Sequence, residues 1–364
     1  MDFNNLHFNR YMDFPVAHVS SCCDVDFIFQ FPNSSQMVYC HPAEPRPNDP
    51  SFNHQYATIN GIRMHFIDVG PRDALPIVLV HGFPDTWWGW RNQIQVLRAT
   101  YRVIVADNRG FGETESPANR HCYGRKTIAQ DYASLLDHLD IPKAVFVGHD
   151  WGADFVWKMC LFQPERVVAV AAFCSPYLPR APAFVPLQEL AQVIPSLQYQ
   201  LFFNQPNTPA LLDLHVDKLL KLMFKVPLVR PKATFTENVM DVHALAFAAD
   251  APTIMSSDDF EFYVAHYRKS GFTGPLNWYK VLDLDWRDMA AVASSVITHP
   301  ALFVAAGQDV AIPLSLSAGM EKYVPNLTRV VVEDASHWIL WDSPDQVNHA
   351  LVDWLAKITY KVCG

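Results

Sequence analysis

The chain is expected to fold as an α/β protein, with a mainly parallel β-sheet flanked by helices and a helical segment inserted into it. Short runs composed almost wholly of Val, Ile, Leu and Ala recur along the sequence, the pattern of strands covered on both faces. Stretches of helical length and patterning lie between them. The alternation then stops between residues 175 and 294, where prolines and helical stretches take over.

The composition agrees with a packed interior. Of 364 residues half are hydrophobic and only 18% charged, which excludes a disordered chain. The net charge of −9 comes without any Lys/Arg stripe, so nucleic acid is not an expected partner. Seven cysteines, with no C-x-x-C spacing and no paired-histidine motif, read as reduced thiols and imply neither a zinc site nor a disulfide framework. No window reaches the roughly 18 apolar residues of a membrane span, and residues 1–20 lack an apolar signal core. A cytoplasmic protein is the expectation.

Taken in order, residues 1–52 carry scattered aromatics and a cluster of Pro42, Pro45, Pro47 and Pro50 that favours an extended linker, and are expected to be an appendage. Strands are expected at Ile62–Val69, Pro76–Val80, Tyr101–Ala106, Ala144–Val147, Val167–Phe173, Pro300–Ala306 and Thr328–Val332. Helices are expected at Thr127–Leu139, Gly152–Phe162 and Pro344–Ile358, the last opened by Ser343 as cap and Pro344 at the first helical position. In this division, residues 53–174 and 295–364 form two parts of one core, and 175–294 form a helical lid. A structureless loop of that length would be improbable, and Asp258–Ser270, closed by Gly271, is its clearest helix.

Chemistry gathers at the strand ends. Gly148-His149-Asp150-Trp151-Gly152 lies between an expected strand and an expected helix. Taken alone this string fits a structural turn as well as a catalytic one. In the flanking strand–helix context it fits a nucleophile elbow, whose small residues two before and two after the nucleophile avoid collision. Chain order then nominates Asp309, in Gly307-Gln308-Asp309, as the acid and His337 as the base, each on a loop after a later strand. His81-Gly82-Phe83-Pro84 follows an earlier strand and nominates the backbone N–H groups of Phe83 and Trp151 as an anion hole.

With these residues assembled, the chain resembles the epoxide hydrolase branch of the α/β-hydrolase superfamily over roughly residues 55–358. The resemblance rests on those motifs, on Asp107-Asn108-Arg109-Gly110-Phe111-Gly112 and His337-Trp338, and on two runs in the insertion, Leu197–Phe203 and Ser270–Tyr279. It implies an α/β-hydrolase fold with an eight-stranded sheet, two catalytic lid tyrosines at Tyr199 and Tyr279, and a cis bond at Phe83-Pro84. Nothing else singles out two of the chain's 13 tyrosines. Ser336 stands where relatives often carry glycine, which implies a tightened histidine loop, and Phe111 stands where many have tyrosine. Residues 1–52 match no segment of the family.

An aspartate nucleophile suits attack on saturated carbon, because the resulting alkyl ester is then cleaved at its own aspartyl carbonyl. The expected reaction converts a lipophilic epoxide and water into a vicinal diol. Asp150 opens the ring, Tyr199 and Tyr279 protonate the alkoxide, and His337, steadied by Asp309, activates water. No cofactor or metal is implied. Phe83, Trp151, Trp278 and Trp338 are the expected substrate-binding aromatics. A haloalkane or haloacid dehalogenase shares the Asp–His–acid set, but a departing halide needs N–H donors and an alkoxide needs a proton, so the tyrosine pair favours the epoxide. A non-catalytic binding protein on this fold is the remaining alternative.

Overall fold

The computed structural model describes residues 28–29, 38–39, 46–225 and 252–363. Most of the expected appendage and residues 226–251 of the expected insertion lie outside this range. The chain divides into two compact units, residues 1–46 and 47–364. Of the first, a two-stranded antiparallel ribbon is described, β1 (Ile28–Phe29) with β2 (Val38–Tyr39).

The second unit is built on an eight-stranded sheet: β3 (His54–Ile59), β4 (Ile62–Val69), β5 (Pro76–Val80), β6 (Arg102–Ala106), β7 (Ala144–His149), β8 (Val167–Phe173), β9 (Ala301–Ala306) and β10 (Leu327–Val332). Their spatial order is β10-β9-β8-β7-β5-β6-β4-β3. Pairings from β10 through to β6 are parallel, whereas β4 runs antiparallel to both β6 and β3. The central strands are almost wholly apolar, apart from Arg102 at the start of β6 and His149 at the end of β7, and are buried on both faces because helices cover both sides. β3 was not expected. As an edge strand it is buried at only one of its six positions, so His54-Gln55-Tyr56-Ala57-Thr58-Ile59 carries no apolar run to mark it.

Helices α1 (Arg91–Leu97), α2 (Arg125–His138) and α3 (Trp151–Phe162) follow β5, β6 and β7. Between β8 and β9 come α4 (Leu187–Val193), α5 (Tyr199–Phe203), α6 (Thr208–Asp213), α7 (Val216–Met223), α8 (Ser257–Ser270), α9 (Thr273–Asn277) and α10 (Leu282–Asp288). α8 starts on Ser256, whose hydroxyl accepts the Asp259 amide, and stops on Gly271 at φ 68°. After β10 come α11 (Ile339–Asp342) and α12 (Pro344–Cys363). Phe52, placed in the appendage by sequence, is fully buried against Trp87 and Trp88, with ring centroids 5.1 and 5.5 Å away. Its neighbours in sequence are polar or proline, which hides an apolar anchor of this kind. Among the described residues no helix is long and apolar enough to cross a membrane.

Candidate active site

β7 ends at His149 and α3 begins at Trp151, leaving Asp150 alone at the bend with φ 54° and ψ −119°. A non-glycine residue in such a conformation costs on the order of 1–3 kcal/mol and persists only where its surroundings over-determine it. Here two glycines do so. A Cβ on Gly148 would stand 2.2 Å from the Gly152 carbonyl oxygen, and one on Gly152 would stand 2.0 Å from that of Val80. Strand and helix can therefore approach closely enough to force the bend.

Asp309 and His337 stand beyond β9 and β10. The Asp309 Oδ1 accepts the amides of Ala311 and Ile312, both at 2.8 Å, and its Oδ2 lies 2.7 Å from His337 Nδ1. His337 Nε2 lies 3.4 Å from Asp150 Oδ2. The structure thus brings Asp150, His337 and Asp309 together in one line. The His337 carbonyl accepts from His149 Nε2 at 2.8 Å and from Cys174 Sγ at 3.5 Å, fastening the base to the ends of β7 and β8. Ser336 ties the loop further: its hydroxyl donates to Asp342 and accepts the Trp338 amide.

Burial opposes the charged form of His337, but the Asp309 charge and the hydrogen bonds to Asp150 and Asp309 outweigh it and hold the imidazole pKa well above its usual value. Burial would likewise raise Asp150. The hydrogen bond and charge of His337, with the Phe83 amide, prevail and hold that carboxyl below the ordinary range.

Phe83 is joined to Pro84 by a cis peptide bond, and its N–H donates to Asp150 Oδ1 at 2.8 Å. Trp151 is the first residue of α3, so its N–H is among the amides a helix start leaves without an internal partner. Gly82 makes the approach possible, because a Cβ there would lie 2.3 Å from the Asp150 carboxylate. Behind this loop, His81 Nδ1 pairs with the Gly82 carbonyl while its Nε2 accepts the Asn108 amide, which fixes the tautomer. The Phe111 ring packs edge-on against His81 and Trp278.

Tyr199 on α5 and Tyr279 just beyond α9 are both buried, with ring centroids 6.1 Å apart. Together with Asp150 they line one cavity of about 330 Å³ between the core and the helices that follow β8. Burial first, and the Asp150 charge next for Tyr199, push both phenols above their ordinary pKa, so they stand as O–H donors. Trp151 packs edge-on against Tyr279 at 4.9 Å and lines the cavity, as does Trp278.

Two of the aromatics expected to touch substrate lie outside the lining of this cavity. Trp338 is not in the lining: its indole N–H donates to the Met223 carbonyl and its ring stacks on Phe224 at 4.0 Å, so packing fully employs it. The Phe83 ring is likewise outside the lining, enclosed by Phe203, Tyr279 and Phe272. Five charged residues of the wall, Arg125, Asp154, Lys158, Arg180 and Asp285, were not anticipated. The spacing 150, 154, 158 on one helix face was available as a signal.

Among the described residues one trio, His149, Cys174 and His337, has ligand-type atoms within 4.8 Å of one another. The two His337 nitrogens already face Asp309 and Asp150, so this trio serves positioning.

A family model described as the α/β hydrolase fold matches residues 76–344, and one described as the epoxide hydrolase N terminus matches residues 42–90. Part of the segment expected to lie outside the family, residues 42–52, therefore falls within that second match. The chain is 36% identical over 337 residues to mouse bifunctional epoxide hydrolase 2, covering 90% of this chain but 58% of that relative's length. It is 32% identical to epoxide hydrolase 3 of Siraitia grosvenorii, covering 82% of this chain and 96% of the relative. The crystal structure of epoxide hydrolase A from Mycobacterium thermoresistibile superposes with a TM-score of 0.74 at 30% identity, over 83% of this chain and 98% of that one.

Proposed function

The chain belongs to the epoxide hydrolases of the α/β-hydrolase fold, and from that premise we propose that it converts a lipophilic epoxide and water into a vicinal diol through an ester on Asp150. The observation that carries this reading is the cavity that the Asp150 carboxylate and the phenols of Tyr199 and Tyr279 line together.

In the first half-reaction Asp150 Oδ2, the oxygen not held by the Phe83 amide, attacks a ring carbon. The carbon–oxygen bond breaks towards Tyr199 and Tyr279, which hydrogen-bond the leaving oxygen and supply its proton. Alkylation removes the Asp150 charge. This withdraws one influence that raises the phenol pKa values and one that keeps His337 protonated, so proton delivery and the base role become easier as the ester forms.

In the second half-reaction His337 deprotonates a water that attacks the aspartyl carbonyl carbon, and Asp309 holds its tautomer. The ester carbonyl oxygen is the former Oδ1, already at the Phe83 amide, so the tetrahedral oxyanion develops where a donor waits. Collapse expels the second oxygen as an alkoxide that takes the proton from the His337 imidazolium, and the Asp150 carboxyl so formed returns its proton to the phenolate, releasing the diol and regenerating Asp150, His337 and the tyrosine pair. In this reading the helices between β8 and β9 act as a cap, and residues 175–294 are its extent. A reducing compartment such as the cytoplasm fits the free thiols of Cys122, Cys160 and Cys174.

The test is single turnover of a styrene-type or fatty-acid epoxide in ¹⁸O-water. Label is expected in the Asp150 peptide and not in the first-turnover diol; label confined to the diol overturns the ester route.

A further inference from the structure

The cavity wall beside the nucleophile is not uniformly apolar. α3 presents Asp154 and Lys158 to it, four residues apart and therefore on one face of the helix, and Asp150 at the bend before α3 lines the same wall. Asp154 Oδ2 accepts Arg125 Nε at 3.0 Å, and its other oxygen accepts Lys158 Nζ. The Arg125 amide donates to Asp285 Oδ1 at 2.7 Å, and the Arg125 guanidinium lies over the Trp151 and Trp278 rings at 4.5 and 4.8 Å. Arg125 is almost fully enclosed, whereas the side chains of Asp154 and Lys158 keep 27% and 15% of their exposure. Those two present unspent hydrogen-bonding capacity: an ammonium has three donors and a carboxylate about four lone-pair sites.

Resting on the hydrolase reading above, we propose that this pair recognises a neutral hydroxyl on the substrate, and that the enzyme is selective for hydroxylated epoxides over purely hydrocarbon ones. Three cations (Arg125, Lys158 and Arg180) face three carboxylates (Asp150, Asp154 and Asp285), so the wall is balanced in charge and suits a group that both donates and accepts, with the hydroxyl donating to Asp154 and accepting from Lys158. An alkyl chain laid on the same wall would strip water from both charges and return nothing. The Lys158 head reaches back to Asp154, four residues beyond the nucleophile, so the hydroxyl belongs on the substrate chain away from the attacked carbon.

The experiment compares kcat/KM for a terminal alkyl epoxide bearing that hydroxyl with its deoxy analogue of equal length. The wild-type enzyme is expected to favour the hydroxylated compound by about ten- to a hundredfold, the range for a hydrogen bond to a charged partner. Lys158→Met is expected to cut that ratio by about tenfold, mainly through the hydroxylated compound. A wild-type ratio near one overturns the proposal without recourse to any variant, as does a ratio that Lys158→Met leaves intact. Preference for a carboxylate analogue over the hydroxyl would overturn the neutral-group assignment. Absence of diol from both compounds would instead overturn the hydrolase reading itself.

Discussion

At the scale of single residues, the site works by charges that change when Asp150 reacts. Asp150→Asn mimics the neutral ester. It is expected to lower the His337 pKa measured by NMR titration, since one of its hydrogen-bond supports is lost; an unchanged value would remove the coupling between the two half-reactions. The same pairing bears on stability. His337 has a raised folded pKa, so its contribution is complete below the unfolded value near 6.5 and fades as pH rises through the folded one. Asp150 is the opposite case: its contribution is present above about 3.8 and is lost as pH falls through its depressed value. Tyr199→Phe and Tyr279→Phe each remove one donor. Stopped-flow ester formation is expected to slow by about 10²- to 10³-fold in either variant with Tm nearly unchanged. Replacement of His337 by Gln is expected to leave the alkylated Asp150 peptide visible by mass spectrometry, because ring opening does not need that base.

Among the elements, the junction of β7 with α3 is where sequence and structure agree most closely, and the reason is steric. Glycines separated by an intruding polar residue, between an apolar run and a helix, leave few alternatives. Gly152→Ala would press a methyl group onto the Val80 carbonyl, and overpacking of this kind costs about 1–3 kcal/mol or more. Chemical denaturation should show that loss, and activity should fall with it because the bend must open. Seven strands were legible because each carries several Val, Ile, Leu, Phe or Ala residues, and Asp150, Asp309 and His337 were legible because each follows one of them. β3 was not, since an edge strand needs no such run. Tyr199 and Tyr279 could be singled out only by resemblance, as nothing in a tyrosine's neighbours reveals which cavity it faces. Trp338 shows the converse limit: an aromatic beside the base is as readily used for packing, here on Phe224.

For the whole second unit, the helices between β8 and β9 are fastened to the core by specific polar bonds as well as by apolar contact. The Tyr263 hydroxyl donates to the fully buried Asp85, which also accepts the Thr86 amide at 2.8 Å and the Trp341 indole at 3.4 Å. The Trp88 indole N–H donates to Asp259 at 2.6 Å, and that of Trp278 to the Arg109 carbonyl at 3.0 Å. Tyr263→Phe withdraws one donor from a carboxyl that water does not reach, at a cost of about 1–3 kcal/mol. Calorimetry should record a lower Tm; an unchanged Tm would mean that Asp85 finds another donor. The tight approach of Gly82 to Asp150 reaches further. Since even one methyl group there would occupy the space of the carboxylate oxygen held by the Phe83 amide, where the oxyanion later develops, a saturation library at that position should yield no active clones, whatever substrate is offered in the screen. Attempts to retarget the enzyme should therefore leave the glycine-lined floor untouched and vary the facing wall.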